Sequence, residues 1–151
     1  MNKNGLKLIA IGIALSNEDR KRKVKLLNDS IDSFADSIRS TSDLDGMPHG
    51  TKVGDPVSAK VAKMEKLEIE RDIEQERINA VEWAMQNATD LVPEEEASTL
   101  EKAIMMSIRN KKGGALTLID ESTIKPATYY TARTTFLSGI LRYLQFDSKS
   151  V

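Results

Sequence analysis

The sequence predicts an all-α protein, with a long N-terminal helical hairpin followed by a small C-terminal helix-turn-helix bundle. Three observations carry this. Val24, Leu27, Ile31, Phe34 and Ile38 recur at alternating three and four, a heptad stripe with polar flanks. A second long helical pattern starts at Pro56 and carries Val57, Val61, Met64, Ile69, Ile73, Ile78, Val81 and Met85. The last third then reads as two short apolar helices feeding a longer one that opens at Pro126.

Composition narrows the chemistry. At 151 residues, 40% hydrophobic and 30% charged, the chain fits one compact domain or a small domain with a helical extension. There is no cysteine, which removes disulfides, thiolate metal sites and cysteine nucleophiles. His49 is the single histidine, so histidine zinc sites and serine–histidine triads are excluded. The 23 carboxylates fall into no catalytic spacing, and the expectation is a non-enzyme without metal or cofactor. A net charge of −1 argues against a generally basic nucleic-acid binder, so any DNA contact must be local.

Taken in order, residues 6–15 (LKLIAIGIAL) form the most apolar window. It is half the ~20 residues a membrane span needs, so no membrane partner is expected. Lys3 and Lys7 give a faint likeness to a signal sequence, but no small-residue cleavage pattern follows. The stretch is read as a buried first helix or a short oligomerising arm of a cytoplasmic protein. Ser16, Asn17, Glu18 and Asp19 mark a helix start. The basic block Arg20-Lys21-Arg22-Lys23, with Lys25, reads as a solvated helix face; as function it would grip phosphates or an acidic partner surface. Residues 43–55 hold three glycines and a proline and form a long loop. The drifting stripe of the second long helix suits an antiparallel partner, and Trp83 is read as a packing anchor against the C-terminal unit.

A linker around Pro93 closes the hairpin region (1–92) and opens the C-terminal region (93–151). Glu94, Glu95 and Glu96 start an acid-rich helix, and Gly113-Gly114 are expected to end it. Pro126 suits the first position of the next long helix, which pushes Lys125 into the turn. Tyr129, Ala132, Phe136 and Ile140 then define its buried face. From residue 101 onward eight Lys/Arg face four Asp/Glu, a net of +4, which leaves −5 for the rest. The positive charge therefore lies where the helix-turn-helix lies. In such a unit the second helix enters the major groove with its N-terminal residues facing bases. That places Lys125, Ala127, Thr128, Tyr130, Thr131 and Thr134 toward the groove, Arg133 at the edge of the buried face, and Lys111 and Lys112 on the backbone flank.

Two stretches together carry a family resemblance. Leu44-Asp45-Gly46-Met47-Pro48-His49-Gly50 resembles the "DGMP" loop of the ArpU/RinA-like late-gene transcriptional regulators of phages infecting Gram-positive bacteria. Ile124-Lys125-Pro126-Ala127-Thr128-Tyr129-Tyr130, with Phe136-Leu137 following, is similar to the opening of that family's recognition helix, in a unit like sigma factor region 4. The resemblance implies a DNA-binding activator of packaging and lysis genes in a bacterial host cell. Its partners would be double-stranded DNA, host RNA polymerase, and a second copy through the N-terminal helices. Thr123 stands where the family has a turn glycine, and Lys125 where it has a capping serine. Arg133 is the one cation between residues 131 and 135, which implies fewer phosphate contacts than the family pattern. The competing reading is a helical interaction protein whose hairpin binds RNA polymerase or another phage protein without reading DNA.

Overall fold

A computed structural model describes residues 2–43 and 56–146, and every regular element in these is a helix. The loop read over 43–55 and the 44–50 motif lie outside the described residues, apart from Asp43, which closes a helix. The elements are α1 (Lys3–Leu15), α2 (Asn17–Asp43), α3 (Pro56–Thr89), α4 (Glu94–Ile108), α5 (Lys112–Asp120) and α6 (Pro126–Tyr143). No helix among the described residues is long and apolar enough to cross a membrane.

The chain forms two compact units, residues 1–18 with 76–151, and residues 19–75. This division departs from the boundary drawn at 92/93. The first helix and the end of α3 group with the C-terminal helices, because their apolar faces are buried in the same core.

In the larger unit the most deeply buried large side chains are Tyr129, Phe136, Leu100, Ile104, Ile119 and Ile140, from α4, α5 and α6. Helix α1 contributes Leu6, Ala10, Ile13 and Ala14 and packs against α6 and α4. It starts where the Asn2 side chain accepts the Gly5 N–H at 2.8 Å, which satisfies one of the donors every helix start leaves open. From α3 come Val81, Ala84, Met85 and Ala88. Here α3 and α6 approach closely, since a Cβ on Gly139 would lie 2.9 Å from the Ala84 Cβ. Trp83 stacks at a tilt on Tyr143, ring centroids 5.6 Å apart, so it anchors α3 to α6 as the sequence suggests.

Two helix ends differ from expectation or go beyond it. Gly113 and Gly114 do not end α4; they lie in the first turn of α5. The stop is made three residues earlier by Asn110, whose φ of 64° is left-handed, a region Asn tolerates because its short polar side chain bonds locally. The Lys111 N–H then donates to the Met106 carbonyl at 2.8 Å and the Asn110 N–H to Ser107 at 3.2 Å, which satisfies carbonyls the last turn leaves open. Gln145 closes α6 in the same way, with φ 63° and the Phe146 N–H on the Leu141 carbonyl at 2.9 Å.

The smaller unit is an antiparallel hairpin of α2 and α3. Arg20 Nε donates to Glu74 at 2.8 Å, Lys23 reaches Glu70 at 3.0 Å, Arg71 reaches Asn28 at 3.3 Å, and Lys60 donates to Ser37 at 2.6 Å. From Arg20–Glu74 to Ser37–Lys60 the numbers rise along one helix and fall along the other. Val24, Leu27 and Ile31 are buried, while Phe34 and Ile38 are half-buried. The α3 stripe needs correction: Ile69 and Ile73 are 61% and 50% exposed. The less exposed α3 positions are instead Met64, Leu67, Arg71, Glu74 and Ile78, spaced at alternating three and four.

Candidate nucleic-acid interface

The unit formed by α5, residues 121–125 and α6 places the sequence-read site. Its turn is held by Ser122, whose hydroxyl donates to the Ile119 carbonyl at 2.6 Å and accepts the Ile124 N–H at 3.1 Å. Ile124 is buried and pins the turn to the core. Lys125 is extended (φ −74°, ψ 141°) and Pro126 opens the helix, as the proline rule requires. The Lys125 side chain makes no capping hydrogen bond, so the turn depends on Ser122 instead of a capping serine at 125.

Helical geometry then sorts the α6 residues. Tyr129, Ala132, Phe136 and Ile140 are buried, and the opposite face presents Ala127, Thr131 and Thr134, all exposed. Tyr130 flanks this face and is 52% exposed, its ring tilted against that of Tyr129 at a centroid distance of 5.1 Å. Its phenol is free to meet a partner while Tyr129 holds its ring. Lys125 is exposed and Thr128 half-buried. Ala127, Thr128 and Thr131 share a shallow hollow of about 260 Å³ with Leu91, a residue the sequence did not single out.

Arg133 stands apart from this face. It is half-buried, and its Nε is buried without a hydrogen-bond partner among the described residues. It lines a groove of about 470 Å³ between α6 and α1, together with Thr134, Lys3 and Lys7. Sequence reading took the two lysines only as a faint likeness to a signal sequence; their i,i+4 spacing, which puts both on one side of α1, was the signal available.

Lys111 and Lys112 are exposed at the start of α5, with no acid in that first turn. A helix N-terminus carries partial positive charge, so the two lysines add to a field that favours anions. They lie at the far end of α5 from the turn, about 12 Å of helix away at 1.5 Å per residue. The structure therefore gathers the α6 residues on one face and leaves these two lysines as a separate basic point.

The basic block at residues 20–25 is partly consumed inside the hairpin. Arg20 is mostly buried against Glu74 instead of solvated, and Lys23 bonds Glu70 and Glu74. These carboxylates raise the Lys23 pKa above its ordinary value, with the Glu70 hydrogen bond the largest cause. Among the described residues no group of three or more His, Asp or Glu side chains is arranged to hold a metal ion.

Comparison of the chain with known protein families, curated proteins and solved structures finds no match.

Proposed function

We propose that the protein is a DNA-binding transcriptional regulator that reads the major groove with the N-terminal half of α6. The observation that carries this reading is the exposed face of Ala127, Tyr130, Thr131 and Thr134 on a helix held by a pinned turn. Threonine hydroxyls hydrogen-bond base edges or phosphates, the Ala127 methyl suits a thymine methyl, and the Tyr130 phenol suits a phosphate. Lys125, with Lys111 and Lys112, supplies local positive charge on a chain that is near neutral overall.

The family resemblance supports the finer reading: activation of phage late genes for packaging and lysis, in the cytoplasm of a bacterial host, with RNA polymerase as partner. Few cations flank the reading face, so a second copy or a bound polymerase would complete the grip on the site.

One observation favours the second reading, a helical interaction protein. Ile69 and Ile73, one turn apart on α3, are exposed, as is Leu26 on α2, and neighbouring exposed apolar side chains on a helix mark partner contacts.

Fluorescence anisotropy separates the two. The protein is titrated at two salt concentrations against duplexes from upstream of its neighbouring genes, beside a scrambled duplex. Groove reading predicts sequence-preferring binding that weakens with salt and is lost in Tyr130→Ala. Equal binding to both duplexes, or none, rejects it; damage to the Leu27–Phe34 stripe should then be what abolishes function.

A further inference from the structure

Helix α1 lies beside α6 in the larger unit and brings its first turns to the flank of the exposed α6 face. The groove between them has an apolar floor of Leu6, Leu137 and Leu141 and a rim of Lys3, Lys7 and Arg133. Among the described residues no acid lines it. Lys3 and Lys7 are exposed, and the Arg133 Nε is buried with no acceptor among the described residues. Three cations are thus gathered over apolar carbon with no described acid among the lining residues. A buried donor without a partner costs free energy that a bound acceptor recovers.

We propose that this groove is a second nucleic-acid contact, a clamp for the sugar–phosphate backbone beside the site that α6 reads. The inference rests on the DNA-binding reading of α6 and assigns a role to residues outside it. A DNA strand alternates phosphates with largely apolar sugars, which matches a cationic rim over a leucine floor. Thr134 belongs to both surfaces, on the exposed α6 face and on the groove wall. A strand held in the groove therefore runs directly alongside the reading face. Such contacts fix register and add affinity without carrying sequence information. They also supply, from α1, the phosphate contacts that α6 lacks between residues 131 and 135.

The test is the salt dependence of binding. Each phosphate contact adds about 0.9 to the slope of log K against log salt. Lys3→Ala/Lys7→Ala should lower that slope by about two and weaken specific and scrambled duplexes by the same factor. Lys3→Glu/Lys7→Glu should weaken both further. Both positions are exposed, so the variants keep the buried α1 face. Lys63→Ala/Lys66→Ala, two exposed lysines of the hairpin, removes the same charge elsewhere and should leave the slope unchanged. If the wild type prefers its site and the α1 variant keeps the wild-type slope, the clamp is overturned while groove reading stands. An equal fall in the hairpin control also overturns it, since the effect is then net charge alone. If the wild type binds both duplexes equally and the α1 variant lowers the slope, the clamp stands and sequence reading fails. A wild type that binds neither duplex overturns both.

Discussion

Within the larger unit Tyr129, Phe136, Leu100, Ile104, Ile119 and Ile140 are at most 2% exposed, whereas among the described apolar residues of the hairpin (19–75) Val24, Leu27 and Ile31 are the buried ones. The hairpin is instead tied by charged pairs across the two helices, among them Arg20–Glu74 at 2.8 Å. The first arrangement gains stability from apolar surface removed from water, about 25 cal/mol per Å². Two helices alone have too little facing surface for that, and ion pairs fix their register at small net gain. A unit of the first kind can hold side chains on a fixed face, as recognition requires. A unit of the second kind leaves apolar residues such as Ile69 and Ile73 outside.

The sharpest way to break the contrast is Phe136→Ala. Phe136 is fully buried, and truncation should cost about 3–5 kcal/mol in chemical denaturation. Hydrogen exchange should show the loss across α4–α6 and not in the hairpin. Arg20→Ala should cost about 2 kcal/mol, read as faster exchange of α2 and α3 amides, because it leaves Glu74 half-paired in a shielded position. Replacing both partners by Met and Leu should recover most of the loss, as expected of a pair that sets register. Gly139→Ala should lower the thermal midpoint by the equivalent of about 1 kcal/mol, since overpacking against the Ala84 Cβ exceeds the gain in helix propensity. In an Ala84→Gly background the same change should become neutral or stabilising. Alkaline pH should have the smallest effect. The Lys23 pKa is raised on folding, so its contribution is complete below the ordinary lysine value of 10.5 and is lost as pH rises through the folded value. Hairpin amides should exchange faster there, relative to the core, in the wild type and not in Lys23→Met.

Much of the C-terminal half was legible because local rules decided it. Pro126 fixes the start of α6, Glu94–Glu96 the start of α4, and the three-and-four spacing of Tyr129 to Ile140 the buried face. Tyr130 and Thr131 followed as the exposed side of that pattern. What was hidden depended on partners distant in sequence. Nothing near Lys3 says that α6 will lie beside it. Ile69 and Ile73 count as core by hydropathy, yet the α3 face turned to α2 is set by cross-helix partners such as Arg20 and Asn28. Gly113-Gly114 looked like a helix stop, but Asn110 reaches the left-handed region first, and the glycines fall into the next helix.

The central claim is that the partner is met on α6 and not on the hairpin. The direct measurement is a ¹H–¹⁵N titration of the labelled protein with the duplex it prefers. Amide shifts should move at Ala127, Tyr130, Thr131 and Thr134, while those of Leu26, Ile69 and Ile73 stay in place. Shifts confined to the hairpin, or none at saturating duplex, would contradict it.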